Sequence, residues 1–359
     1  MLKWLRALAR FFQTTIGWNR IGVLLSVAII SVAAVVLYNM LHDIDVDEVV
    51  AALKATEPQH IAAAAFFVAC GYFTLTFYDL FALRTIGRNE VPYRIAALTG
   101  FTSYSIGHNV GATVFTGGAV RYRIYSSYGL DAIEVAKICF IAGLTFWLGN
   151  ATVLGLGVAY HPEAAVPIDQ LPAWLNRLIG IAMLTVLVCY VIWVWSAPRE
   201  IGQGEWKVRL PSGPSTLLQI FIGILDLGFC SLAMYMLLPG EPNIDFVTIA
   251  VVFVSATLLG FASHAPGGLG VFDAAMLVAL WQFDKESVLA GLLLFRLLYY
   301  LAPFATALVI LGVREIWLNL RGARPVGPKL IKSVTAPIRS EIEAERPTPT
   351  DHGDRSRAS

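Results

Sequence analysis

Charge is scarce in this chain. Asp, Glu, Lys and Arg make up 14% of its 359 residues, while 57% are hydrophobic. A soluble domain carries roughly 25% charged residues, so the composition excludes an ordinary water-soluble fold. Cysteine is scarce too. The four present, Cys70, Cys139, Cys189 and Cys230, all lie inside apolar runs with no disulfide or metal-ligand spacing, and are expected to pack as buried small hydrophobes. Nucleotide-binding glycine loops, nucleophile elbows and zinc signatures are missing. No polar stretch is long enough for a soluble catalytic domain, so hydrolysis-driven transport would need a separate subunit. No cofactor and no metal are expected.

What the chain has in quantity is long apolar segments, several of the ~20 residues that cross a hydrocarbon core. They are Ile21–Leu41, Ile61–Leu83, Ala96–Gly118, Ala132–Tyr160, Ala173–Trp195, Ser215–Leu238, Phe246–Phe283 and Ser287–Val313. Ahead of them, Lys3, Arg6, Arg10 and Arg20 alternate with Trp4, Leu5, Leu8, Phe11 and Phe12 at helical spacing. That pattern predicts an amphipathic helix over residues 1–20 lying on an anionic inner leaflet. From Gly322 the chain is polar and rich in proline and charge, which predicts a disordered cytoplasmic tail over 322–359.

Counting basic residues sets the topology. If Ala96–Gly118 crossed fully, Arg121, Arg123, Arg199, Lys207 and Arg209 would face outside, inverting the positive-inside rule. If Ala96–Gly118 instead dips in from the cytoplasm and Phe246–Phe283 dips in from outside, 18 of the 26 Lys and Arg lie at the cytoplasmic face. Four more lie in the tail, Lys54, Arg177 and Lys285 lie outside, and Arg296 is intramembrane. The expected fold is therefore an all-α integral membrane protein, a polytopic bundle of six full spans plus two re-entrant elements, with both termini cytoplasmic.

This path contains inverted units of similar length, residues 61–160 and 215–313, within a membrane domain over 21–314. Many secondary transporters place a midplane site between such units. Local matches agree with the duplication: Gly117-Gly118 with Gly267-Gly268, and Asp131 four residues before Val135 with Asp284 four residues before Val288.

Glycine-broken backbone at membrane depth is tolerated where protein buries it or it lines a wet cavity. Pro266-Gly267-Gly268-Leu269-Gly270 opens a helix whose exposed amides suit phosphate or carboxylate; the alternative is tight packing of a broken helix. Arg121 and Arg123, following Thr116-Gly117-Gly118, are expected where the first re-entrant element regains the cytoplasmic interface. There they would either capture headgroup phosphate or anchor the interface beside Tyr122 and Tyr125. Asp226 and Arg296 fall at similar depth, and an intramembrane charge needs an interior partner. They are expected to pair with each other, as a structural bond or as a cavity pair that meets a headgroup. Asp79 is assigned to interfacial pairing near Arg84, Asp273 to helix capping or proton coupling, and His108, Asn109 and His264 to the two turns.

At these residues the chain resembles a family. Thr116-Gly117-Gly118-Ala119-Val120-Arg121-Tyr122-Arg123-Ile124-Tyr125 and Pro266-Gly267-Gly268-Leu269-Gly270-Val271-Phe272 resemble the N-terminal membrane domain of bacterial lysylphosphatidylglycerol synthase/flippase proteins, over roughly Arg20–Arg314. The resemblance implies a bacterial inner-membrane lipid flippase domain, moving aminoacylated phosphatidylglycerol between leaflets. It also implies an embedded aspartate and arginine at the lipid cavity, and Asp226 and Arg296 look like them. Two departures stand out. Members often carry Glu where this chain has Asp273, and bifunctional members continue into an aminoacyl-transfer domain. This chain ends first, so it is not expected to make aminoacylated lipid.

The expected partners are a membrane phospholipid with an anionic or aminoacylated headgroup, a lipid synthase, and a second copy of the chain; no nucleic acid is expected. The alternative function is a non-transporting membrane partner that docks a lipid or glycolipid synthase.

Overall fold

A computed structural model describes residues 46–320 apart from 112 and 205. The expected basic helix over 1–20, the apolar run Ile21–Leu41 and the tail over 322–359 lie outside the described residues. The chain divides into two compact units, residues 1–313 and 314–359, and the cavity and ion pairs below belong to the first.

The architecture is all-helical apart from a two-residue pairing, β1 (Glu200–Ile201) with β2 (Val208–Arg209). A short helix α1 (Val46–Ala55) precedes α2 (Pro58–Thr85), α3 (Tyr93–Val110), α4 (Thr113–Tyr125), α5 (Ala132–Tyr160) and α6 (Ala173–Ser196). After the β-pair come α7 (Gly213–Leu237), α8 (Phe246–Ser263), α9 (Val271–Ala279), α10 (Lys285–Phe295), a π-helical stretch over Arg296–Leu301 and α11 (Ala302–Leu320). Among the described residues, six helical stretches are long and apolar enough to cross a membrane. Five match spans expected from the sequence. The sixth, Phe246–Ser263, is the first arm of the expected second re-entrant element.

Local sequence explains the boundaries. Pro58 and Pro214 occupy first-turn positions, where the missing N–H is no loss. Asp131 caps α5, accepting from the Glu134 amide at 2.8 Å, and Asp284 caps α10, accepting from the Ser287 amide at 3.3 Å. The Asp131 and Asp284 matches noted above thus start corresponding helices of the two units. The glycine match does not hold. Gly117 and Gly118 are helical residues within α4, whereas Gly267 and Gly268 have φ of 61° and 62°. The break in the first unit lies at Gly111, where φ is 82°, six residues before the expected place.

Both broken elements turn back on themselves. Buried Ala96 near the start of α3 and Tyr125 at the end of α4 belong to one apolar cluster with Leu83, Val135 and Val208. The base of this first hairpin therefore sits beside the C-terminal end of α2. At the other end of α2, His60 borders a pocket with Tyr235, Ile249 and Phe283, so the α8–α9 hairpin has its base there. The two hairpins open toward opposite ends of the bundle, and their tips meet: a Cβ on Gly111 would lie 3.2 Å from Pro266 Cα.

Small residues let the long helices approach, as membrane packing favours. Where α5 crosses α7, a Cβ on Gly149 would fall 2.7 Å from Gly223 Cα. Against the expectation for the cysteines, only Cys230 is buried; Cys70 and Cys139 are half-buried and Cys189 is exposed on α6. Hydrocarbon outside the bundle is as apolar as its core, so an apolar run alone does not decide which cysteines turn inward.

Candidate functional site

A cavity of about 200 Å³ lies among α3, α4, α5, α7, α8 and the π-helical stretch. Its polar wall is made by Asp226, Arg121, His108, Tyr104, Tyr299 and Tyr300. The opposite wall is apolar and aromatic, with Phe146, Phe253 and Phe272. Trp147 and Phe261 line it while remaining exposed at the outer surface, their rings edge-to-face at 6.0 Å. The cavity thus reaches the outer surface of the bundle between α5 and α8. A second hollow at the hairpin tips shares His108, Thr113, Val114 and Gly260 and extends to Phe115, which is 81% exposed.

The charged groups pair otherwise than expected. Asp226 and Arg296 do not bond to each other. Arg296 engages Asp273, with Nε to Oδ1 at 3.0 Å and Nη2 to Oδ2 at 2.5 Å. Asp273 also accepts from the Gly270 amide at 3.0 Å, and Arg296 Nη1 donates to Gly267 O at 3.3 Å. Both side chains therefore clasp the Pro266–Gly270 turn, and the expected capping role of Asp273 is combined with an ion pair. Depth along two helices does not fix the direction in which side chains point, which is why equal depth misled.

Arg121 is not at an interface. It is 4% exposed and binds fully buried Asp79 through Nε at 3.1 Å to both oxygens and Nη2 at 2.7 Å to Oδ1. Tyr125 adds a hydroxyl to Asp79 Oδ2 at 2.8 Å, and the Tyr104 ring lies 4.8 Å under the guanidinium. Asp79 is thus an interior counter-ion and not an interfacial partner of Arg84, which bonds Asn89 instead. The reason is the length of α4: the helix runs on to Tyr125, so Arg121 is still inside the bundle. Gly117 makes room, since a Cβ there would lie 3.3 Å from Arg121 Nη1 and 3.2 Å from Ser103 O. Gly118 faces Cys139, with ordinary contact distance for a Cβ. Arg123, on the outward side of α4 between buried Arg121 and Ile124, is exposed.

Asp226 keeps no basic partner among the described residues. It is 4% exposed and accepts from Tyr78 Oη at 3.0 Å and Thr74 Oγ1 at 3.4 Å. Asn109 joins the first hairpin tip to the last helix through Nδ2 to Tyr300 O at 3.0 Å, and Tyr72 Oη donates to Tyr299 O at 2.9 Å. The π-helical register leaves those two carbonyls available, a common use of such stretches at functional sites. His264 ends α8 in the left-handed region with φ 57° and is exposed. Sequence reasoning placed Asp79 at the interface and passed over Tyr78, Tyr104 and Tyr299. Asp79 was findable, because a carboxylate inside an apolar run calls for an interior cation. The tyrosines carried no signal distinguishing them from other aromatics.

Fold and site together define a multi-pass α-helical membrane protein with a polar cavity between two oppositely opening hairpins. The family described as Lysylphosphatidylglycerol synthase TM region matches residues 23–307, and the chain belongs to it. "Uncharacterized protein slr0712" of Synechocystis is 30% identical over 79% of this chain and 88% of its own length. "Inner membrane protein YbhN" of Escherichia coli is 28% identical over 74% and 83%. "Phosphatidylglycerol lysyltransferase" of Staphylococcus haemolyticus is 24% identical over 66% of this chain, a match spanning 27% of that larger protein.

Proposed function

We propose that the protein is a lipid translocase of the bacterial inner membrane, moving a phospholipid between leaflets through the cavity, with both termini cytoplasmic. The observation that carries this reading is the cavity itself. It holds a carboxylate and a guanidinium inside a bundle of membrane-spanning length, where isolated charges cost several kcal/mol, and it reaches the outer surface between Trp147 and Phe261. A headgroup in the polar interior with acyl chains leaving through that opening fits both surfaces. The two hairpins act as re-entrant elements from opposite faces, meeting at Gly111 and Pro266. Family membership supports a lipid cargo, and the name of the staphylococcal relative suggests a phosphatidylglycerol derivative.

Within this mechanism Asp226, Arg121 and the Gly267-Gly268 backbone form the headgroup wall. Arg296, Asp273, Pro266, Gly270 and Asn109 hold the turn and hairpin tips in register. Arg123, exposed at the base of the first hairpin, contacts headgroups before or after passage, and His264, exposed at the hairpin tips, borders the hollow there.

Gly143 supplies the test. It lines the cavity, and a Cβ there would meet nothing within 4 Å, so Gly143→Phe fills the space without straining the helix. Fluorescent phosphatidylglycerol exchange in proteoliposomes is expected to fall tenfold or more in this variant, with folding retained by size-exclusion profile. Equal exchange by a folded Gly143→Phe protein would remove the cavity from the transport route. The alternative, a docking partner for a lipid synthase, predicts no exchange by either protein and co-purification of a synthase.

A further inference from the structure

Among the described residues three buried aspartates lie in the core, and they are not equivalent. Asp79 is neutralised by Arg121 and Asp273 by Arg296. Asp226 has only the hydroxyls of Tyr78 and Thr74, both neutral donors, yet it is the aspartate that borders the cavity. The titratable groups beside it or lining the same cavity from neighbouring helices are Tyr72 and Tyr78 on α2, Tyr104 and His108 on α3, and Cys139 on α5. Cys230 on α7 and Tyr299 and Tyr300 on the π-helical stretch complete the set. From α4 comes Arg121, already matched by Asp79; α6, α8 and α10 bring no titratable side chain to the cavity wall.

The cavity therefore has one uncompensated negative charge when Asp226 is ionised and none when it is protonated. A phosphate entering the ionised cavity would meet a second anion with no spare cation nearby. Resting on the transport reading, we propose that Asp226 takes up a proton as an anionic lipid headgroup loads and releases it as the headgroup leaves, so that one proton and one anionic phospholipid cross together. The step is carboxylate plus proton to carboxyl and back, with no bond made to the lipid. Once protonated, the carboxyl can donate to a phosphate oxygen in the same space. The pair carries no net charge, so the exchange responds to a pH difference and not to membrane voltage.

The test uses the full chain in proteoliposomes containing fluorescent phosphatidylglycerol, with an imposed pH difference of about one unit. One-to-one coupling is expected to enrich the probe about tenfold in the leaflet facing the alkaline side, since tenfold in concentration balances tenfold in protons. Asp226→Asn, nearly the same shape and still able to accept from Tyr78, is expected to show no such bias. Wild-type exchange without bias overturns the coupling and leaves the transport reading standing. Enrichment toward the acidic side also overturns it, because proton and lipid would then be moving in opposite directions. If no lipid exchanges at all, the transport reading fails and the coupling with it. Infrared titration then decides the protonation site alone: a carboxyl stretch that grows on mild acidification in wild type and is missing from Asp226→Asn supports it, and identical spectra overturn it.

Discussion

Removing the carboxylate of Asp79 strands Arg121 in a place where only 4% of its surface reaches the exterior. Breaking a buried pair by deleting one partner costs ~3–5 kcal/mol, whereas replacing both by apolar groups of similar volume is often neutral. Asp79→Ala is therefore expected to lower thermal stability in detergent sharply, and Asp79→Leu combined with Arg121→Met to recover most of it. If the single variant melts like wild type, the pair is not holding α2 against α4. The half-buried pair of Arg88 with Glu134, Nε to Oε1 at 2.6 Å, is a useful contrast, since it is far better solvated than the Asp79 pair and solvent-screened pairs contribute only ~0–1 kcal/mol. Arg88→Gln should shift the melting point little.

At the scale of elements, the decisive contacts are backbone against backbone. The α5–α7 crossing leaves no room for a side chain at Gly149 or Gly223. Overpacking typically costs ~1–3 kcal/mol, so Gly149→Val is expected to destabilise by at least that amount, read as early unfolding in a thermal ramp. Gly111→Ala meets two obstacles, a φ of 82° and Pro266 Cα 3.2 Å from the new methyl. It should slow lipid exchange while leaving the α2–α7 core intact, because it disturbs only where the hairpin tips touch. Unchanged exchange would mean that contact between the tips is dispensable. The first hairpin also marks where sequence reading stopped. Gly111 and Gly117 are both glycines in an apolar segment, and nothing local says that one is left-handed and the other helical.

For the whole molecule, the prediction is one of sidedness. The loop after α2, the end of α4 and the β-pair gather in one cluster around Leu83, Tyr125 and Val208, and these are the segments rich in Arg and Lys. A cysteine placed at Tyr122 is expected to react with impermeant reagents from the cytoplasm, and one at Asn243, beside the opposite pocket, from the periplasm. Labelling of the Tyr122 site from outside would invert or break the proposed path.

Hydropathy and the placement of Lys and Arg determined the class of protein, the helical stretches and the hairpin character of two of them. These follow from free energies set residue by residue, apolar length against bilayer thickness and basic charge against the cytoplasmic face. Which aspartate meets which arginine was decided only by the tertiary structure. Asp79 and Arg121 are 42 residues apart, and Asp273 and Arg296 are 23 apart. Ion pairing depends on the rotation of each helix about its axis, and close glycine crossings such as Gly149 against Gly223 set that rotation, leaving Asp226 alone at the cavity.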